Sequence, residues 1–222
     1  MDDPACDPHR LAATLRRFGV VNRLISGWGE VYRRMLAPRL VELGRPARVL
    51  DLGSGGGDVV ARLALLARRD GLDVTWLGAD PDARAHEVAR RHRIPGVEFR
   101  VAGSAELVAG GERFDAVISN HVLHHLAPAE LREFVDDSRM LSSGIVLHSD
   151  IARSRPAYAL YALGITPFAP GTFLRTDGLR SIRRSYRPTE LAVALPAGWD
   201  IRTPVPFRLV AVSEMRRGEP DA

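Results

Sequence analysis

Residues 49–58 read Val49-Leu50-Asp51-Leu52-Gly53-Ser54-Gly55-Gly56-Gly57-Asp58. A hydrophobic run stops at Asp51, glycines follow at alternate positions, and Asp58-Val59-Val60 opens an amphipathic stretch. Glycine lets the backbone turn sharply and lets a ligand approach the amides, while the helix that follows presents free N–H groups at its start. The stretch therefore predicts strand, glycine-rich turn and helix, with a cofactor resting on the turn.

Working outward, helical and strand patterns alternate. Val59, Val60, Leu63, Leu66 and Ala67 share one helical face, and Gly71 stands where a C-terminal cap belongs. Strands are expected at Arg48–Leu52, Val74–Leu77, Val97–Val101, Phe114–Ser119 and Ile145–His148, with a helix opening at Asp80-Pro81. Helices between successive strands predict an α/β fold, Rossmann-like, with a mainly parallel seven-stranded sheet covered on both faces. The last two strands, Trp199–Arg202 and Phe207–Val212, are joined by only Thr203-Pro204-Val205-Pro206 and must form an antiparallel hairpin. One domain of 222 residues is expected: a helical leader (1–46), a cofactor-binding core (47–150), a helical lid insertion (151–197) and a C-terminal hairpin (198–214). In the leader, residues 1–8 read as frayed, and Leu11, Leu15, Phe18 and Val21, then Val31, Met35, Leu40 and Leu43, recur at helical spacing.

Composition narrows the function. Cys6 is the only cysteine, which argues against a disulfide framework or thiolate cluster and fits a reducing, cytoplasmic setting. The most apolar late stretch, Ala157 to Leu174, is broken by Pro167 and Pro170, so no membrane span is expected. The net charge of +4 comes from arginine in a chain without lysine, and the basic runs Arg68-Arg69, Arg90 to Arg93 and Arg183-Arg184 read as solvated faces rather than a nucleic-acid interface.

Ligands of open parallel sheets sit at the carboxyl ends of the strands. Those ends carry Asp51 to Gly57, Asp80, Gly103-Ser104-Ala105, Asn120-His121 and His148-Ser149-Asp150, all polar or glycine-rich. A dinucleotide fingerprint counted from Gly53 would need glycine at 58, where the chain has Asp58, and a pyrophosphate on that helix N-terminus would face a carboxylate. The run instead fits Asp-x-Gly-x-Gly-x-Gly, and here the sequence resembles the class I methyltransferases that use S-adenosylmethionine. The strand Phe114 to Asn120 followed by His121-Val122-Leu123-His124-His125-Leu126 resembles their small-molecule branch, which includes the ubiquinone and menaquinone methylases. The chain lacks the (Asp/Asn)-Pro-Pro-(Tyr/Phe) of nucleic-acid amino-methylating enzymes at this point.

The resemblance implies methyl transfer to a small molecule, on a hydroxyl of an aromatic, quinol or polyketide-like compound. An NAD(P)-dependent oxidoreductase and a nucleic-acid methyltransferase are the alternatives. It places Asp51, Gly53, Ser54, Gly55, Gly57, Asp80, Pro81, Ser104, Ala105 and Asn120 around the cofactor, with Asp80 on the ribose hydroxyls unless it only caps the helix opened by Pro81. Ser104 stands where the family usually has Asp on the adenine amine, so Ala105 backbone groups or Glu106 are expected to serve instead. A general base is expected at His121 or His148, which end strands, whereas His124 and His125 read as helix-start residues bonded to backbone. His-x-Asp at 148–150 is too short to define a dyad, and no metal site is expected. Tyr158, Tyr161, Arg175 and Arg183, with Phe168, Phe173, Arg180 and Tyr186 nearby, are the expected acceptor wall, and Trp28 and Tyr32 are expected to close its other side.

Overall fold

A computed structural model describes residues 26–215 together with residues 6, 7, 9–11, 13, 14 and 17. The helical spacing read through Leu15, Phe18 and Val21 lies outside the described residues, as does most of the stretch read as frayed. The element order from residue 28 is α1 (Trp28–Val31), a π-turn (Tyr32–Leu36), α2 (Ala37–Leu43), β1 (Ala47–Leu52), α3 (Asp58–Arg69), β2 (Val74–Asp80), α4 (Ala83–Ala89), β3 (Val97–Val101), α5 (Ser104–Ala109) and β4 (Phe114–Asn120). A 3₁₀ turn (Leu123–His125), α6 (Pro128–Leu141), β5 (Ser142–Ile151), α7 (Arg155–Gly164), a second 3₁₀ turn (Thr166–Phe168), α8 (Leu174–Arg184), α9 (Pro188–Ala194), β6 (Asp200–Arg202) and β7 (Arg208–Glu214) follow.

The sheet has the order β3-β2-β1-β4-β5-β7-β6. The first five strands are parallel, and β7 runs antiparallel to both β5 and β6. This is the Rossmann-like sheet with a C-terminal antiparallel hairpin that the alternation of elements predicts. The order reverses between β1 and β4, so the ends of those strands open a crevice.

The alternation of side chains along each strand assigns the two covering layers. Val49, Ala116, Ile118, Ile145 and Leu147 face α3, the leader helices and the fully buried Trp28, Tyr32 and Leu36. Leu50, Leu52, Val117 and Val146 face the opposite way, against Leu107 of α5 and Leu141 of α6. Val31, Met35, Leu36 and Leu40 stay on one buried face because the π-turn at Tyr32–Leu36 shifts the helical phase between them. Trp28 and Tyr32 thus belong to the core, and the Tyr32 hydroxyl donates to Asp70 Oδ2 at 2.9 Å. The expectation that these two rings close the crevice is corrected.

Strand β5 runs three residues beyond the expected end, and this corrects the reading of His148 as a base. His148 lies inside the sheet at 0% exposure, its ring 5.1 Å from that of Phe134 on α6 and 5.2 Å from that of Trp199. Nδ1 is 2.8 Å from Ser119 Oγ, Nε2 has no partner, and burial pushes the imidazole down to about 3. A histidine so held is neutral, and it does not line the cavity described below.

That burial predicts an acid sensitivity. The unfolded chain takes up a proton at His148 near pH 6.5 and the native chain only near 3, so the contribution is complete above pH 6.5 and is lost as pH falls toward 3. His148→Leu is expected to flatten the fall in stability between pH 6.5 and 4 by about 1.4 kcal/mol per pH unit, read from urea unfolding. An unchanged slope would place the titrating group elsewhere.

Candidate functional site

Strands β1 and β4 end beside each other, and the turn after β1 forms one wall of a cavity of about 790 Å³. In that turn Gly53, Gly55 and Gly57 have φ of 68°, 54° and 77°. Amides of Gly53 and Ser54 donate to Ala79 O at 2.8 and 3.1 Å, which seats the turn on β2. At Gly57 a side chain is excluded twice, by the left-handed backbone and by the Phe99 ring 2.6 Å from where a β-carbon would stand. Gly55 is different: a β-carbon there would meet no protein atom within 4 Å, so its face is left to a ligand.

The carboxylates around this turn define its charge. Asp51 is 1% exposed, its Oδ1 has no partner, and burial, then Asp58 and Asp80, push its carboxyl well above the usual range. Asp58 is the first residue of α3 and also lines the cavity. Asp80 accepts from Gly55 N at 2.8 Å and from Asp82 N at 2.9 Å, while burial raises its carboxyl despite those bonds. The helix after β2 starts at Ala83 and is capped by Asp82, which accepts from Arg84 N at 2.8 Å. The reading of Asp80 as cap of a helix opened by Pro81 is therefore corrected, and Asp80 instead shapes the glycine turn.

S-adenosylmethionine fits these residues. It carries an ammonium and a sulfonium and no phosphate, so the unpartnered Asp51 and the acidic helix start at Asp58 favour it, whereas they oppose a pyrophosphate. Asp80, Pro81, Ser104 and Ala105 lie outside the cavity walls, along the ends of β2 and β3. The Ser104 hydroxyl donates to Asp137 Oδ2 at 2.7 Å, and Glu106, expected at an adenine amine, accepts from Gly103 N through one oxygen at 2.7 Å.

The opposite wall is built where β4, β5 and β7 end together. Asn120 pairs with Ser149 across β4 and β5, and Ile151 with Arg208 across β5 and β7. Asp150, fully buried, accepts from His124 Nδ1 at 2.7 Å, from His124 N at 3.0 Å and, on its first oxygen, from Ile151 N at 2.7 Å. Burial alone would raise this carboxyl, but His124, His121 and Arg208 hold it far below the usual range. An ionised carboxylate can only accept, so His124 donates to it from Nδ1. Nε2 has no partner in the protein, and His124 lines the cavity.

Arg208, 3% exposed, donates from Nη1 to His121 Nε2 at 2.6 Å and from Nη2 to Asn120 Oδ1 at 2.8 Å and Ser149 Oγ at 3.1 Å. Burial lowers the guanidinium to about 10, against the opposing pull of Asp150. His121, with a φ of 63°, also lines the cavity. Burial and then Arg208 push its imidazole well below 6.5, and the lone pair on Nε2 is taken. The expected base at His121 is thereby corrected, and the histidine read as bland, His124, is the one with an orienting carboxylate and an unpartnered Nε2.

The lid forms the remaining wall. Ala157, Leu160, Tyr161, Ile165 and Phe168 face the cavity from α7 and the turn after it, and Asp177, Gly178, Arg180, Ser181 and Arg184 from one face of α8. Of the four expected acceptor residues only Tyr161 is among them. Its hydroxyl donates to Leu174 O at 2.7 Å, and burial, then Asp177, push it up to about 12. Tyr158 and Arg183 pair with each other at 2.8 Å away from the cavity, and Arg175 donates to Ala162 O and Thr166 Oγ1, both at 3.0 Å, bracing α7 against α8. Phe173 lies under Arg10 instead, and Tyr186 packs with Leu191 and Leu209. Among the described residues no three His, Cys, Asp or Glu side chains group as a metal site, and no helix is long and apolar enough to cross a membrane.

Comparison with known proteins agrees with this geometry. Residues 49–143 match the family model described as a methyltransferase domain. The chain is 28% identical over 157 residues to the ubiquinone biosynthesis O-methyltransferase of Brucella anthropi, covering 68% of this chain and 58% of that protein. It is 32% identical over 158 residues to the enzyme of the same name from Rhizobium etli, with 68% and 58% covered. The chain thus spans less than two thirds of the length of these relatives. Among solved structures, the plantazolicin methyltransferase BpumL, bound to S-adenosylhomocysteine and a pentazolic desmethylplantazolicin analogue, aligns with a TM-score of 0.63 at 12% identity over 95% of this chain and 96% of that one. The magnesium protoporphyrin IX methyltransferase of Synechocystis PCC 6803 aligns with a TM-score of 0.54 at 18% identity, covering 88% and 87%. At these identities the structural likeness is one of fold.

The buried network has a measurable weight. Asp150→Asn leaves Arg208 buried without its carboxylate and removes the charge that orients His124, and breaking a buried charge pair costs about 3–5 kcal/mol. Urea unfolding of the variant at pH 7 is expected to show a loss in that range, and a loss below about 1 kcal/mol would mean that the cluster is held by backbone alone.

Proposed function

The chain belongs to the class I S-adenosylmethionine-dependent methyltransferases, and from that premise we propose that it methylates a hydroxyl of a small aromatic, quinol or polyketide-like molecule, with His124 as the general base. The observation that carries this reading is the His124–Asp150 pair: the imidazole Nε2 has no partner in the protein, and the residue stands beside a cavity whose other wall is the acid-lined glycine turn.

When bound, S-adenosylmethionine supplies a methyl group activated by a sulfonium. The chain's residues do the rest. Asp51 and Asp58 favour the cofactor's cationic methionine end, the Gly53–Gly57 turn receives its backbone, and Asp80, at the end of β2, is assigned to the ribose. The walls of α7 and α8 surround the acceptor and exclude water, and alignment of this kind supplies much of the rate of an in-line displacement. His124 Nε2 would take the hydroxyl proton. Asp150 keeps the imidazole oriented and stabilises the imidazolium that results. The relatives named for ubiquinone biosynthesis and the fold neighbours named for plantazolicin and magnesium protoporphyrin IX support a small-molecule acceptor. The apolar-walled cavity bounded by the lid supports an aromatic one.

S-adenosylhomocysteine at about 100 times its dissociation constant is expected to stabilise the fold by roughly 2.7 kcal/mol, seen as a raised melting temperature, and NADP at the same concentration is expected to do nothing. A rise with NADP alone would overturn the assignment. For the base, His124→Gln is expected to lower turnover by about 10²–10⁴-fold with S-adenosylhomocysteine affinity unchanged. Wild-type turnover in that variant would point to an acceptor that ionises unaided.

A further inference from the structure

We propose that His92 is a positioning residue for the cofactor: from outside the cavity it holds the carbonyl of Gly56, and so sets the shape in which the glycine turn receives S-adenosylmethionine. The inference rests on the cofactor assignment above and adds to it a residue that no strand end carries.

The turn needs such a hold. Every residue from Gly53 to Gly57 except Ser54 is glycine, and Gly53, Gly55 and Gly57 stand in the left-handed region. A stretch of this composition samples many conformations when unrestrained, and ordering it only when the ligand arrives would weaken binding. The protein orders it beforehand, one group at a time. Gly53 N and Ser54 N donate to Ala79 O, Gly55 N donates to Asp80 Oδ2, and Gly57 N donates to Ser54 O at 2.9 Å. These bonds fix amides. The carbonyl of Gly56 is held separately, by His92 Nε2 at 3.1 Å. A carbonyl oxygen can only accept, so the imidazole donates and its Nε2 carries a proton.

His92 is itself placed by packing away from the cavity. Its amide donates to Ala89 O at 2.9 Å, just past the end of α4, and its ring lies 6.3 Å from that of Phe99 on β3. The Phe99 ring fills the space that β-carbons at Gly57 and Gly78 would need, 2.6 and 2.7 Å from where they would stand, and its carbonyl accepts from His86 Nε2 at 3.3 Å. Helix α4 is thus tied to β3 by His86 and to the turn by His92. Asp80 precedes that helix and His92 follows it, so the two grip the Gly55–Gly56 dipeptide at its amide and its carbonyl, from opposite ends of one element. Both glycines line the cavity, whereas His92 does not and acts only through the turn.

The test is calorimetry of S-adenosylhomocysteine binding to the full chain and two variants. His92→Phe keeps a ring and removes the donor, and is expected to weaken binding about fivefold, the weight of one net hydrogen bond. His92→Gln brings an N–H on its side-chain amide and is expected to restore wild-type affinity. Unchanged affinity in His92→Phe overturns the inference even if its melting temperature falls, since a bond that serves only the fold lowers stability without touching affinity. A His92→Gln variant as weak as His92→Phe also overturns it, because ring shape rather than the donor would then be what counts. Should His92→Phe fail to fold, the wild type decides. With ¹⁵N-labelled histidine, assigned from the spectrum of His92→Gln, His92 is expected to carry a proton on Nε2 and its signal to move when S-adenosylhomocysteine is added. A proton on Nδ1 alone, or a signal that the ligand leaves in place, overturns the inference. A wild type that does not bind S-adenosylhomocysteine overturns the proposed function and this inference with it, whereas binding that is blind to position 92 overturns this inference alone.

Discussion

The carboxylate of Asp150 is the interaction on which the acceptor half of the molecule depends. It is fully buried, yet ionised, because His124 bonds it through two donors and Arg208 supplies a positive charge nearby. A lone carboxylate at that depth would protonate, and a lone guanidinium in the place of Arg208 would be costly. Each charge is tolerated because the other is present. The hairpin therefore does more than complete the sheet: β7 carries Arg208 to the ends of β4 and β5, where Asn120, His121 and Ser149 share it.

The framework was legible in the sequence because its signals are local. Strand periodicity, the glycines of residues 53–57 and a four-residue link between the last two strands each determine structure over a few residues, and the parallel sheet and its terminal hairpin follow. His124 was not legible, because its partner is 26 residues away and meets it only through the register that sets Asn120 opposite Ser149. His148 misled for the converse reason. It looked like a strand end, but β5 continues to Ile151, and covering by Phe134 and Trp199 turns an apparent active-site residue into core. Asp80 was placed at the right strand end with half of its bonding unforeseen, since the amide of Gly55 lies 25 residues earlier.

The lid shows where pattern gives out. An 11-residue helix with Arg175, Arg180, Arg183 and Arg184 offers several faces to solvent, and composition does not say which one turns inward. Packing decides it at Gly178, where a β-carbon would run into the Tyr161 phenol, so α7 and α8 approach closely there. That contact directs Asp177, Ser181 and Arg184 toward the cavity and sends Arg183 out to Tyr158. A helix of modest apolar content is thereby oriented by one missing methyl group.

Charge ties the two halves of the cavity together. The glycine turn presents Asp51, whose Oδ1 has no partner, and Asp58, and the opposite wall presents an ionised Asp150 already satisfied by His124 and Arg208. In the proposed reaction, methyl transfer to a hydroxyl would move one unit of positive charge from the cofactor side of the cavity to whichever group takes the proton. In a low-dielectric site that displacement is favourable only if the receiving side already holds a fixed negative charge. His121 cannot be the receiver, because Arg208 occupies its lone pair and repels a second positive charge. His124 can, because Asp150 lies against its far nitrogen. The same arginine that disqualifies one histidine as a base also keeps Asp150 ionised for the other, so the division of labour between the two rings follows from a single buried guanidinium.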